Sequence, residues 1–71
     1  MKAQKVVEFG GVSVFGRIVR VAGDSVVVEV IVFPKGEVFS SHIVEVDRHS
    51  SQCVRDAVIN AIHQNPSIVG W

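Results

Sequence analysis

Four apolar runs occupy the first 46 residues, and glycine-rich turn signals separate them. Gly10-Gly11 and Gly23-Asp24 match two-residue hairpin turns, and Pro34-Lys35-Gly36 matches a third turn. The pattern therefore predicts a four-stranded antiparallel β-meander. Its strands are predicted over residues 3–9, 12–21, 25–33 and 37–46.

A helix is predicted to follow the fourth strand, from Ser51 to Gln64. Ser50 or Ser51 can cap its start, and Asn65-Pro66 ends it because proline cannot continue a helix. Asn60 belongs to its outer, polar side. The chain is thus predicted to be one α+β domain over residues 1–71, with the helix packed on one sheet face. The apolar stripe of the helix comprises Cys53, Val54, Ala57, Val58, Ala61 and Ile62.

The third strand is apolar on both sides and carries a single charge, Glu29. With tight hairpins, Val21 pairs with Val26 and Val19 pairs with Val28, so each sheet face receives about eight apolar side chains. One helix covers only one of these faces. Leaving the other face in water forfeits on the order of 10 kcal/mol, which exceeds the stability margin of so small a domain.

The face that the helix leaves uncovered is the candidate binding surface of a small assembly module. A second copy is the expected occupant, in a homo-oligomer of which a dimer is the simplest form. A different protein partner is the other option. The tail "SIVGW" ends in an aromatic side chain that either tucks against the sheet or anchors the interface. The predicted interface residues are Val12, Val14, Ile18, Val27, Ile31, Phe33 and Trp71.

The sequence leaves two features of the sheet open. Gly16 lies within the second strand, where glycine often marks a bend or bulge, so the alternative architecture is a small curled β-barrel with a C-terminal helix. The loop length sets the register of the fourth strand. A loop of two residues places Phe39 and Ile43 on the helix side. A loop of three residues places Val38, Val44 and Val46 there.

A module that binds single-stranded nucleic acid is the alternative function. Phenylalanines can stack on bases, and Arg17 and Arg20 can lie on the sheet beside them. The charge balance opposes this function, because seven Lys and Arg residues match seven Asp and Glu residues. Without a basic excess, nucleic acid is the less favoured partner.

Catalytic and metal chemistry depend on one small group of residues. Cys53 and His49 are four positions apart at the predicted helix start, where a zinc ion or an activated thiol is conceivable. However, the spacing of the histidines matches no standard zinc pattern, and Cys53 belongs to the apolar stripe. We therefore expect a shielded core cysteine in a protein that is not an enzyme, with no catalytic residue, cofactor or metal.

The cysteine count and the apolar segments indicate a compartment. A single cysteine excludes an internal disulfide and suits a reducing environment. The stretch "MKAQKVVEFGG" has no apolar run typical of a signal peptide, and no segment approaches the ~18 apolar residues of a membrane helix. We expect a soluble cytoplasmic protein with no membrane contact.

Overall fold

A computed structural model describes residues 3–70, in which four antiparallel strands form one open sheet in the order β1-β2-β3-β4. The predicted α+β meander with a C-terminal helix is confirmed. β1 and β4 are the edges of the sheet, and within residues 3–70 they do not close into the alternative barrel. The elements are β1 (Gln4–Phe9), β2 (Val12–Ala22), β3 (Ser25–Phe33), β4 (Ser40–Asp47), α1 (Val54–Gln64) and a 3₁₀ helix (Pro66–Val69).

The first two hairpins turn at the predicted glycines. Gly10 and Gly11 have φ angles of 55° and 80°, and Gly23 has a φ of 62°. A side chain makes such left-handed backbone unfavourable, so glycine is the residue that permits a two-residue connection here. The β1–β2 and β2–β3 pairings begin directly beside these turns.

A β-bulge interrupts β2 at Val19. Ile18 pairs with Val28 and Arg20 pairs with Val27, so Val19 is an additional residue in the ladder. Side chains alternate between the two faces of a sheet. Because of the extra residue, the β2 side chains before Val19 lie on the opposite face from the one that an uninterrupted ladder with β3 would give them. The predicted pairing of Val19 with Val28 is wrong for this reason. A second register shift lies in β1, between Lys5 and Val7.

The hydrophobic core lies between one face of the sheet and α1. Alternate valines of β3 point toward the helix, and the 3₁₀ helix closes one end of the same core. Each fully buried side chain of this size contributes roughly 1.5–3 kcal/mol to stability. The buried cluster comprises Val14, Val26, Val28, Val30, Val32, Val46, Ala57, Val58, Ala61, Ile68 and Val69.

Gly16 permits the close approach of α1 to the sheet. It pairs with Val30 in a regular part of the ladder, so it marks neither a bend nor a bulge. A Cβ added at Gly16 would overlap Cγ2 of Val58 and would lie 3.6 Å from Cγ1 of Val54. The missing side chain is therefore what allows the helix to lie directly on β2.

The helix begins three residues later than predicted. Cys53 is its N-cap, with extended backbone and no side-chain capping bond among the described residues, so the prediction of a Ser50 or Ser51 cap is wrong. Ser51 is buried instead, and Asn60 donates hydrogen bonds to the Ser51 hydroxyl (2.8 Å) and the Ser50 carbonyl (2.9 Å). Asn60 is therefore an anchor for this connection rather than a residue of the solvent-facing side.

The fourth strand has the register that places Val44 and Val46 on the helix side, but the prediction that Val38 joins them is wrong, since Val38 precedes β4 and is 86% exposed. Val44 and Val46 pair with Val28 and Val26, whereas Ile43 pairs with Glu29 and points the other way. The connection before β4 is six residues long, which is more than either predicted loop.

The C-terminal segment packs against the core as far as Val69. α1 ends at Gln64, before Asn65-Pro66 as predicted, and Ile68 and Val69 are buried against the core. Trp71 lies outside the described residues. No helix within residues 3–70 is long and apolar enough to cross a membrane.

Candidate functional site: the open sheet face

The side of the sheet opposite α1, called the open face below, carries residues from all four strands. Direct pairing of Phe15 with Ile31 and of Arg17 with Glu29 sets which side chains share it. Both helices pack on the other side of the sheet. The open face includes Lys5, Glu8, Ser13, Phe15, Arg17, Arg20, Val27, Glu29, Ile31, Phe33, Ser41, Ile43 and Glu45.

Three of the predicted interface residues lie on the open face: Val27, Ile31 and Phe33. Phe33 is 42% exposed and Ile31 is half-buried, so both offer surface to a partner. Val27 is only 8% exposed. It therefore belongs to the floor of the face rather than to its accessible surface.

The assignment of Val12, Val14 and Ile18 to the uncovered face is corrected by the strand pairing. Val14 is fully buried in the core, and Val12 and Ile18 pack against that core. The bulge at Val19 is the physical reason, since it turns this part of β2 over relative to β3. The predicted role of Trp71 concerns a residue outside the described range.

Three phenylalanines form a cluster at one end of the open face. The ring centroids of Phe15 and Phe33 are 5.3 Å apart with an interplanar angle of 77°, which is an edge-to-face contact. Phe39, from the β3–β4 connection, stacks on Phe33 with its centroid also 5.3 Å away. Ala3, Ser13 and Ile31 join Phe15 and Phe33 in lining a shallow depression of about 420 Å³. This end of the face is apolar and concave.

A polar chain crosses the middle of the open face from β4 to β2. The Glu29 carboxylate accepts hydrogen bonds from the Ser41 hydroxyl (2.7 Å) and from Nε of Arg17 (2.5 Å). The Ser41 hydrogen bond, followed by the Arg17 hydrogen bond, lowers the pKa of Glu29 below its usual value. The charges in the centre of the face thus neutralise one another within the chain.

This polar chain predicts a specific acid sensitivity. Because the pKa of Glu29 is lowered in the folded state, its stabilising contribution is fully present above the unfolded pKa of ~4.3 and is lost as the pH falls through the folded pKa. Urea unfolding of the Glu29→Gln variant should therefore depend less on pH below about 4.3 than unfolding of the wild type. Glu37→Gln, at an exposed glutamate in the connection, should follow the wild-type pH profile. Identical profiles for both variants would contradict the role of Glu29.

A second neutralised group lies at the β1 edge of the face. Nζ of Lys5 lies 2.9 Å from the Glu8 carboxylate, which also accepts a hydrogen bond from the Ser13 hydroxyl at 3.2 Å. The hydrogen bond from Lys5 is the main cause that lowers the pKa of Glu8, and the Lys5 charge and Ser13 add to it. Exposed pairs of this kind add little to stability, but they remove net charge from the face.

Two further charges of the open face have no such partner. Arg20 and Glu45 flank Val27 on opposite sides, on β2 and β4. Neither makes an ion pair or a side-chain hydrogen bond with any residue in the described range 3–70. Both side chains are exposed. They are therefore free to bind a group outside the chain.

The structure overturns the prediction that Cys53 is a shielded core residue. Its thiol is exposed, because the helix begins after it and the residue itself is an extended N-cap. Exposure alone does not make the thiol a catalytic or metal-binding group. The described residues contain no group of three or more His, Cys, Asp or Glu side chains that could hold a metal ion.

Comparisons with known proteins found no similar protein. No protein-family model, no curated protein and no solved structure matches the chain.

Proposed function

We propose that this protein is a non-enzymatic binding and assembly module that holds another polypeptide on its open face. The observation that supports this function is the group of large apolar side chains on one sheet side, of which Phe33, Phe39 and Ile43 are 42%, 55% and 62% exposed. Exposed apolar side chains of this kind are typical of protein-binding sites. Aromatic side chains are the usual anchors of such interfaces.

The charges on the same face favour a protein partner over nucleic acid. Arg17 is held by Glu29 and Lys5 by Glu8, so two of the basic groups that a phosphate backbone would need are already neutralised. The chain also has equal numbers of basic and acidic residues. The single cysteine suits a reducing compartment, which supports the cytoplasm as the place of action.

Photo-crosslinking tests this function in cells that produce the protein. Benzoylphenylalanine at position 33 places the reactive group on the open face, and the same residue at position 52 places it on an exposed site before α1. We expect a protein adduct from position 33 that protease removes and nuclease leaves intact, with little adduct from position 52. A nuclease-sensitive adduct at position 33 would support single-stranded nucleic acid instead. Equal or absent adducts at both positions would contradict the proposal.

A further inference from the structure

Apart from Lys5 and Glu8 on β1, which pair with each other, the charged side chains of the open face are divided by strand. Arg17 and Arg20 lie on β2, whereas Glu29 lies on β3 and Glu45 on β4. One half of the face is therefore basic and the other half acidic. Such a surface is complementary to a second copy of itself when the basic half of each copy lies on the acidic half of the other.

A two-fold axis parallel to the strands, passing between β2 and β3, gives this arrangement. It places β2 of each copy over β3 of its partner. Each row of residues that pair across the strands then faces the same row of the partner. Arg17 faces the partner's Glu29. Arg20 faces the partner's Val27, directly beside the partner's Glu45. Long side chains such as these can meet across the ~10 Å that separates two packed sheets.

A two-fold axis perpendicular to the strands gives a poorer match. It would place β2 of one copy over β2 of the other, because the order of the strands across the sheet is retained. Arg17 and Arg20 would then face the partner's arginines or the partner's phenylalanine cluster. Like charges brought together in this way oppose association.

The dimensions of the molecule leave room for a standard dimer interface. The two longer dimensions of the molecule are 38 and 25 Å, and their product limits the face to about 950 Å². A standard interface buries about 800 Å² on each partner. Equal numbers of acidic and basic residues also mean that two copies carry no net charge that would drive them apart.

From this division of charge we propose that the occupant of the open face is a second copy of the chain. The two sheets pack face to face around an axis along the strands, and Arg20 of each copy pairs with Glu45 of the other. The proposal rests on the function proposed above, since it names the polypeptide that the open face holds. It gives a role to the two charges that have no partner within residues 3–70.

Charge reversal at these two positions tests the proposal. The purified wild type should have twice the chain mass of 7.7 kDa by sedimentation equilibrium at micromolar concentration. Arg20→Glu alone and Glu45→Arg alone should each weaken self-association by on the order of 100-fold, because two ion pairs per dimer become like-charge contacts. An equimolar mixture of the two variants should restore the dimer mass, and so should the double variant. Both positions are exposed, and circular dichroism of each variant monitors the fold.

The outcomes separate this inference from the proposed function. A wild type that stays at 7.7 kDa at 100 µM would overturn the self-association, as would single variants with unchanged affinity. A double variant that remains monomeric would overturn the pairing of Arg20 with Glu45 and the axis along the strands. The crosslinking result at position 33 does not depend on these outcomes. An adduct there with a different protein would support the binding function and exclude the second copy as the occupant.

Discussion

Replacing Gly16 with alanine is expected to destabilise the fold by about 2–3 kcal/mol and to lower the thermal midpoint by roughly 10–20 °C. The new Cβ would overlap Cγ2 of Val58, which is fully buried, so the helix or its packed neighbours must shift. Alanine restricts the unfolded chain and so favours folding by only about 0.4–1 kcal/mol, which is less than the cost of overpacking. Urea unfolding measures this difference directly.

A double-mutant cycle provides the control. Val58→Ala alone should cost about 2 kcal/mol, because it removes buried methyl groups and leaves a cavity. Combined with Gly16→Ala, it removes the atom that the new Cβ meets, so the loss should be smaller than the sum by about 1–2 kcal/mol. If the two losses simply add, the close approach of α1 to β2 at Gly16 is not what requires glycine there.

Ile31→Glu is expected to separate the dimer into folded monomers. In the proposed dimer Ile31 faces the partner's Phe15, and the substitution would bury an unpaired carboxylate twice, once in each copy. The loss of association free energy should be at least about 3 kcal/mol per dimer, which is more than a hundredfold in affinity. In the isolated chain Ile31 is only half-buried, so the glutamate can be solvated and the sheet should stay folded. Sedimentation and circular dichroism measure the two properties separately.

Val21→Glu is the matched control for this variant. It makes the same kind of change at a residue that pairs with Val26, on the helix side of the sheet, and that is 52% exposed. The control should keep both its fold and its dimer mass. Dissociation caused by Val21→Glu, or an unchanged mass for Ile31→Glu, would place the contact between copies somewhere other than the open face.

The elements of the fold could be predicted because local chemistry determines them. Gly10-Gly11 and Gly23-Asp24 permit only tight turns, and Asn65-Pro66 ends the helix. The apolar runs and the short spacing of the turns between them then predict a meander. That one sheet face stays without a helix could also be predicted, since one helix of 11 residues covers one face. The predicted number of about eight apolar side chains on this open face is wrong, because the bulge leaves it only Phe15, Val27, Ile31, Phe33 and Ile43 as large apolar strand residues.

The identity of the residues on that face could be predicted only in part. A ladder without bulges places Arg17 opposite Val30, whereas the structure places it opposite Glu29. A bulge adds a residue without any composition that marks it, and the pattern around Val19 looks like an ordinary strand. The signal that could have revealed the shift is electrostatic, because moving the register by one residue pairs an arginine with a glutamate across the strands.

The predicted start of the helix is wrong for a different reason. Two serines offered good caps, but the chain uses Ser51 as a buried acceptor for Asn60 and leaves Cys53 to begin the helix. This hydrogen bond joins residues nine positions apart, so helix propensity and capping preference do not reveal it. The same shift moved Cys53 from the predicted core to the surface.

The bulge in β2 also determines how this fold can change its length during evolution. Deleting one residue from a regular strand moves the side chains on one side of the deletion to the opposite face of the sheet. Such deletions therefore normally disrupt the sheet. Val19 is an exception, because Ile18 already pairs with Val28 and Arg20 with Val27 on either side of it. A chain without Val19 would keep every other residue on its present face. This position is therefore where a shorter descendant of the protein could arise without rebuilding its core.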